Sequence, residues 1–185
     1  MSTAPLEQAI TSTRSVLSGV KPDQLDASTP CASWKVRELV NHIVGGQYFF
    51  IAGVEGAPQT RTGEDFSAGD FVAAFDEGSA KCVAAFQGDG VMAKTLTLPF
   101  GQMPGAAFVG LAATDTFTHG WDLAKATGQP TDLSPELAAQ LLAGAKQAIS
   151  PAFRGPEPAP FGPEQQAPAG ATNADQLAAF LGRTV

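Results

Sequence analysis

Apolar residues recur at spacings of three and four through four long segments of this 185-residue chain. This periodicity constrains the fold more than any other feature, because a stripe of that period is buried only when the segment is helical. Four amphipathic helices of this length predict an all-α protein built as a four-helix bundle. The four segments are Pro5–Leu17, Trp34–Val54, Phe71–Phe86 and Ala106–Ala126.

Residues that favour helix ends divide these segments from one another. Ser33 and Asp70 are the predicted N-caps of the second and third helices, because a short polar side chain can accept a hydrogen bond from the first turn. Gly128 is the predicted end of the fourth helix. Two shorter helices are predicted beyond it, one starting at Ser134-Pro135 and one opened by Asn173 in a capping-box pattern.

Two stretches do not follow the helical pattern. Thr95 to Leu98 alternates polar and apolar residues and is followed by prolines, which favours one short strand or an extended segment over a complete hairpin. Residues 151–172 are rich in proline and glycine and predict an irregular excursion near the C terminus. We expect a single metal-binding helical-bundle domain over residues 1–185, since this length fits one domain.

The charge and cysteine content narrow the function classes. The net charge of −7 and the absence of a basic stripe predict no nucleic-acid partner. No apolar run reaches the length of a membrane span, and the N-terminal residues do not form a signal peptide, so we expect a cytoplasmic protein without a membrane partner. The pattern leaves the oligomeric state open.

The two cysteines are expected to be free thiols. Cys82 lies within the third helical segment and is predicted to be buried in the core. Cys31 precedes the second helix, a position that lowers the pKa of a thiol. No candidate base is close to Cys31 in the sequence, which favours a structural role for it.

Three polar residues interrupt the apolar stripe of the fourth helix. At 100° per residue, Asp115, His119 and Asp122 lie in the same wedge as the apolar residues, so they are predicted to face inward. A buried carboxylate requires a compensating cation, which can be a protonated base or a metal ion. Asp115 and His119 are four residues apart, a spacing that lets both side chains reach one ion.

A third metal ligand has to come from another helix. His42 is the only other histidine of the chain, and it lies at the margin of the second helix's apolar stripe, next to Gly45 and Gly46. Other interpretations stay open on these residues alone. Asp115 and His119 can form a hydrogen-bonded core pair, and His42 can be merely half-buried.

Asp122 has two predicted roles, either to orient His119 or to lie on the surface near the helix end. Four aromatic residues can line a pocket or belong to the core: Phe49, Phe50, Phe117 and Trp121.

Three blocks of sequence resemble a known family. The blocks are TPCASWKVRELVNHIVGG from Thr29, LPFGQMPG from Leu98 and LAATDTFTHGWDLAKATGQ from Leu111. They are similar to the actinobacterial metal-binding proteins related to the N-terminal domain of mycothiol-dependent maleylpyruvate isomerase. That group lies within the DinB-like four-helix superfamily, so the resemblance implies a DinB-like bundle.

The resemblance also implies a function and a ligand set. It implies a divalent metal ion, usually zinc, held by His42, Asp115 and His119, with Asp115 standing where the isomerase has glutamate. It implies mycothiol, a low-molecular-weight thiol, as cosubstrate and a small electrophilic molecule as substrate. The expected activity is that of a zinc-dependent, mycothiol-using transferase or isomerase. The alternative is a bundle that binds a metal or small molecule without turnover.

Overall fold

A computed structural model describes residues 2–155 and 161–185 of the chain. The described residues form helices and one short antiparallel hairpin, so the predicted all-α class is confirmed. The elements in chain order are α1 Ala4–Ser18, α2 Val36–Glu55, α3 Phe71–Phe86, β1 Thr95–Leu98, β2 Gly101–Pro104, α4 Gly105–Thr127, α5 Pro135–Ala148 and α6 Asn173–Phe180. None of the described helices is both long and apolar enough to cross a membrane.

The four long helices form the predicted bundle. Helix α4 packs along α1 and also against α2, while α2 packs along α3. The contact between α1 and α4 is close because Gly120 carries no side chain, and a Cβ there would collide with Thr13. The Thr13 hydroxyl instead donates a hydrogen bond of 2.8 Å to the carbonyl oxygen of Thr116. This close approach makes α4 an inner helix, with most of its second half buried.

Helix α2 carries the predicted apolar stripe but begins later than predicted. Its stripe residues are all buried: Val36, Leu39, Val40, Ile43, Gln47 and Phe50. The N-cap is Lys35 and not Ser33, because the Glu38 carboxylate accepts a 2.9 Å hydrogen bond from the backbone N–H of Lys35. Asp70, by contrast, caps α3 as predicted, with its side chain accepting from the N–H of Ala73.

The segment before α4 is a complete hairpin, so the prediction of a single strand or extended segment is wrong. Leu96 pairs with Met103 and Leu98 pairs with Gly101, and both leucines face the core. A two-residue turn joins the strands, and Gly101 follows it with a φ of 128°, which suits glycine. Pro104 is compatible with the hairpin because it lies at a strand end, where a ladder N–H can be spared.

The C-terminal part returns to the bundle. Helices α5 and α6 pack against each other, and Trp121 of α4 donates a 2.9 Å hydrogen bond to Asp175 of α6. The hydroxyl of Thr172, not the predicted Asn173, caps α6.

Helix α5 follows Ser134 as predicted, although the Ser134 hydroxyl makes no capping hydrogen bond. In the excursion at residues 151–172, the described part contains a single 3-10 turn at Pro151–Phe153 and no longer element. Residues 156–160 lie outside the described residues.

Candidate metal centre

Three side chains from two helices converge where α2 faces α4. His42 projects from α2, while Asp115 and His119 project from α4 one turn apart. Asp115 Oδ1 lies 3.5 Å from Nε2 of His42 and 3.6 Å from Nε2 of His119. The two imidazole rings meet edge to face with 4.4 Å between their centroids. The structure thus brings together the three residues predicted from the sequence, which we call the open cluster.

The spacing of the open cluster suits a small divalent cation. Ligand atoms about 2.1 Å from a tetrahedral zinc ion lie about 3.4 Å from one another, close to both observed separations. Nε2 of His42 is buried and has no hydrogen-bond partner among the described residues. The side chains of His42 and Asp115 remain 34% and 27% exposed, so a small molecule can reach the cluster. The role of these residues as metal ligands stays a prediction with which this geometry is compatible.

The electrostatics of the open cluster favour an ionised carboxylate. Burial alone would raise the pKa of Asp115, but the charges of His119 and His42 outweigh it and hold that pKa below its ordinary value. Burial likewise lowers the pKa of His42, but the nearby carboxylates of Asp115 and Asp122 outweigh it and raise that pKa. The separation of 3.5 Å is long for a hydrogen bond, so the attraction between His42 and Asp115 is chiefly electrostatic.

A second group of side chains surrounds Asp122, and we call it the closed cluster. Asp122 is fully buried and accepts a 3.0 Å hydrogen bond from Nδ1 of His119. The guanidinium of Arg183 donates to both carboxylate oxygens, at 3.2 Å from Nε and 3.0 Å from Nη2. The thiol of Cys31 donates to Oδ2 at 3.3 Å. Asp122 therefore orients His119, which is the first of its two predicted roles.

The closed cluster determines which nitrogen of His119 can bind a cation. Burial alone would raise the pKa of Asp122, but the His119 hydrogen bond and the Arg183 charge lower it to about 2. Because an ionised carboxylate only accepts hydrogen bonds, Nδ1 of His119 carries the hydrogen. The lone pair of the neutral ring is then on Nε2, which faces Asp115. A carboxylate behind a histidine orients many metal-binding histidines in this way.

The predicted low pKa of Cys31 is wrong. Burial, followed by the negative charge of Asp122, raises the pKa of this thiol to about 12. The sulfur lies 4.0 Å from Nδ1 of His119, a base that is 88 residues away in the sequence and therefore has no local signal near Cys31. Cys31 is therefore a protonated hydrogen-bond donor, in agreement with the predicted structural role. Cys82 is buried in the core as predicted.

Two residues of the site, Trp34 and Arg183, were not predicted from the sequence. The Trp34 ring lies against both imidazoles, with centroid distances of 4.6 Å to His42 and 5.6 Å to His119. A sequence feature that could have indicated Trp34 is its place in the first family block, TPCASWKVRELVNHIVGG. Arg183 has no comparable local signal, since it is 61 residues from Asp122 in the chain.

Two cavities meet at the open cluster, because His42, Leu111 and Asp115 line both of them. The glycine cavity has a volume of about 620 Å³ and lies along α2 beneath the loop that follows it. Its other lining residues include Gly45, Gly46, Phe49, Phe50 and residues 62–66. The arginine cavity has a volume of about 560 Å³ and lies toward the C-terminal segment. Its other lining residues include Cys31, Trp34, Thr118, His119 and Arg183.

The predicted pocket aromatics divide between cavity and core. Phe49 and Phe50 line the glycine cavity. Phe117 and Trp121 are fully buried and belong to the core.

The fold defines the class of protein as a DinB-like, all-α four-helix bundle with candidate metal ligands on α2 and α4. The sequence pattern of the family described as the mycothiol maleylpyruvate isomerase N-terminal domain matches residues 6–124, more than half of the chain. The chain belongs to this family, which confirms the resemblance seen in the three sequence blocks.

Comparisons with individual proteins agree with this assignment. Proteins from two strains of Mycobacterium tuberculosis, both described as uncharacterised, are each 45% identical to the chain over 172 residues. Each alignment covers 92% of this chain and 91% of the relative. The crystal structure of the mycothiol-dependent maleylpyruvate isomerase matches with a TM-score of 0.59 and 13% identity. That match covers 76% of this chain and 66% of the isomerase chain, and it shows a shared fold.

Proposed function

We propose that the protein is a zinc-dependent transferase or isomerase that uses mycothiol to act on a small electrophilic substrate. Membership of the family supports a small thiol as cosubstrate, because the structurally similar isomerase is mycothiol-dependent. The shared fold alone does not carry the reaction, since one fold supports many activities. The proposal therefore depends on the open cluster of this chain.

The observation that carries the proposal is the donor set of the open cluster. Two imidazole nitrogens and one carboxylate oxygen lie at separations that suit tetrahedral zinc. Three protein ligands leave a fourth position for an exogenous molecule, which is the arrangement of catalytic zinc sites. The partial exposure of His42 and Asp115 and the two adjoining cavities provide access to that position.

The protein residues prepare the site in distinct ways. Asp115 supplies the negative charge, and Asp122 holds His119 with the Nε2 lone pair toward Asp115. The Trp34 ring packs against both imidazoles. A zinc ion bound here would lower the pKa of a thiol ligand and so supply a thiolate near neutral pH.

The nucleophilic sulfur is assigned to the external thiol, because the Cys31 thiol donates to Asp122 and burial raises its pKa to about 12. In an addition to a carbon–carbon double bond, the sulfur–carbon bond forms as the π bond breaks. The proton lost by the thiol goes to the neighbouring carbon, so no oxidant or reductant is required. Reversal of the addition after rotation gives isomerisation.

The first test measures metal binding by Asp115→Asn. The neutral amide is a poor zinc ligand, so we expect zinc affinity to fall by more than about 100-fold, beyond the loss typical of an outer-sphere change. Zinc per chain after equilibrium dialysis measures the effect. The control is Asp76→Asn, which removes a carboxylate that is 42% exposed and paired with Arg14 on the surface. Full zinc in Asp115→Asn would refute the ligand assignment.

The second test separates an enzyme from a binding protein. Zinc-loaded protein is incubated with mycothiol and a series of electrophiles, and consumption of thiol is followed against protein-free controls. Catalysed consumption that disappears in His42→Ala supports the enzyme. Zinc bound at one ion per chain without any catalysed consumption would instead identify a binding protein, the alternative predicted from the sequence.

A further inference from the structure

Two adjacent glycines of α2 have no packing reason to be glycine. Gly45 and Gly46 lie in the interior of the helix, where glycine is among the least favourable residues. A Cβ added at Gly45 would come no closer than 3.9 Å to Phe66, and one at Gly46 would lie 3.7 Å from Asp115. Both distances are ordinary contacts, so a Cβ at either position would enter the glycine cavity without a clash.

Two other helical glycines of the bundle differ from this pair. A Cβ at Gly53, two turns further along α2, would lie 2.6 Å from the ring of Phe108. A Cβ at Gly120 would collide with Thr13. These two glycines permit close packing between elements, whereas Gly45 and Gly46 keep open the space beside the open cluster.

The only arginine or lysine among the described residues lining the glycine cavity is already neutralised. Arg61 donates to both carboxylate oxygens of Glu64, at 2.7 Å and 2.6 Å, and lies 3.4 Å from Glu77. Its guanidinium also stacks on the rings of Tyr48 and Phe66, at 5.2 Å and 4.8 Å from their centroids. Arg61 thus holds the loop that forms the cavity wall. Because its guanidinium is paired with Glu64 and Glu77, it is not free to pair with an anionic ligand.

Beyond the Arg61–Glu64 pair and the open cluster, the one charged side chain in the described lining of the glycine cavity is the carboxylate of Asp65. Asp65 and Asp115 line it together with Glu64, while Phe49, Phe50 and Leu111 supply apolar surface. A ligand carboxylate held away from the open cluster would meet Asp65 and would lose its hydration without gaining a partner. An uncharged ligand with an apolar body avoids that cost.

The arginine cavity has a different lining. Thr118 is 3% exposed and lines this cavity, and its hydroxyl has no hydrogen-bond partner among the described residues. A buried hydroxyl without a partner is costly, so a polar group of a ligand in this cavity would stabilise it. Mycothiol carries several hydroxyl and amide groups of this kind.

We propose that the glycine cavity binds an uncharged, largely apolar electrophile, while the thiol enters through the arginine cavity and forms a hydrogen bond with the hydroxyl of Thr118. This inference rests on the proposed function and narrows its substrate class. The two reactants approach the open cluster from different sides, so both can be bound at once. Gly45 and Gly46 are specificity-determining positions, because their missing side chains create the electrophile's space.

The experiment uses zinc-loaded protein and two matched probes, benzylideneacetone and its 4-carboxylate, titrated without thiol by calorimetry. We expect the uncharged ketone to bind at least about tenfold more tightly than the carboxylate. Gly45→Leu should weaken binding of the ketone by at least about tenfold while leaving zinc content unchanged. Gly144→Leu is the matched control, because it makes the same substitution in α5, where a Cβ meets nothing within 4 Å. Phe49→Trp fills the same cavity from the next turn and replaces Gly45→Leu if that variant does not fold.

Titrations with mycothiol test whether the thiol binds in the arginine cavity. Thr118→Val keeps the side-chain shape and should lower mycothiol affinity by about three- to tenfold, the loss expected for one hydrogen bond. Gly45→Leu should leave mycothiol affinity within about twofold, and Thr118→Val should leave ketone affinity within the same range. Equal weakening of both ligands by Gly45→Leu, or tighter binding of the 4-carboxylate, would overturn the inference.

The outcomes for wild type distinguish this inference from the proposed function. Wild type that binds mycothiol but not the ketone overturns the cavity assignment and leaves the proposed function standing. Wild type that binds no thiol in the presence of zinc overturns the proposed function. Ketone binding that is lost in Gly45→Leu would still support the glycine cavity as the apolar site in that case.

Discussion

The open and closed clusters share His119 but differ in how their polar atoms are satisfied. In the closed cluster, Asp122 is fully buried and accepts four hydrogen bonds, from Arg183, His119 and Cys31. In the open cluster, Asp115 is 27% exposed and lies 3.5–3.6 Å from two ring nitrogens, too far for good hydrogen bonds. Both groups contain residue types that bind metal ions, and both bring their ligand atoms within 4.8 Å.

Proximity of ligand atoms therefore does not by itself indicate a metal site. A carboxylate that a guanidinium and an imidazole already neutralise has little to gain from a cation, and displacement of Arg183 would leave a buried charge. The open cluster contains no arginine or lysine, and Nε2 of His42 and Nε2 of His119 both face one oxygen of Asp115. We therefore expect the closed cluster to stabilise the fold and the open cluster to be able to accept a ligand.

Among the changes that test this difference between the clusters, Asp122→Asn should have the largest effect on the free energy of unfolding. Removal of this charge leaves Arg183 buried without a counter-ion, so we expect the unfolding free energy to fall by about 3–5 kcal/mol in urea titrations. Asp115→Asn is the matched variant in the open cluster, and we expect it to change the unfolding free energy of metal-free protein by less than about 1 kcal/mol.

The double variant Asp122→Asn with Arg183→Met sharpens this prediction. It removes both charges of the buried pair, so it should recover a large part of the lost stability. Similar destabilisation by Asp115→Asn and Asp122→Asn would contradict the division into an open and a closed cluster.

Replacing either histidine of the open cluster by alanine should have an intermediate effect on the free energy of unfolding. His42→Ala and His119→Ala should both lose zinc, measured as metal per chain by elemental analysis. Only His119→Ala also removes a donor from buried Asp122, so it should destabilise metal-free protein by about 1–3 kcal/mol. His42→Ala should cost less than about 1 kcal/mol, because its ring is one third exposed. Retention of zinc by His42→Ala would show that the ion binds in the closed cluster.

The smallest effect is expected from Cys31. Cys31→Ser keeps a donor toward Asp122 and should change the unfolding free energy by less than about 0.5 kcal/mol. Cys31→Ala removes that donor and should cost about 0.5–1.5 kcal/mol. Neither variant should alter zinc content. Loss of zinc in Cys31→Ser would make the thiol a ligand and would break the comparison.

Much of the site could be predicted from one helix. The period of α4 shows that Asp115 and His119 share a face with buried residues, because the helix geometry alone fixes which side chains lie together. His42 follows as the candidate third ligand because it is the only other histidine of the chain, and the family blocks imply the same residue. The cap of α2 was harder to predict, since Ser33 and Lys35 are both compatible with a start and only the Glu38 hydrogen bond decides. The hairpin could not be predicted in the same way, because Pro99 and Pro104 disfavour strands and the burial of Leu96 and Leu98 depends on the rest of the bundle.

The helices, their buried faces and the inward direction of the polar groups on α4 follow from local sequence. Local hydrogen bonding and the 3.6-residue period are sufficient for these features. The contacts of Arg183 and Cys31 with Asp122 span 61 and 91 residues of chain and are visible only in the folded protein. Such contacts depend on how the C-terminal segment and the loop before α2 pack onto the bundle, and no local interaction specifies that packing.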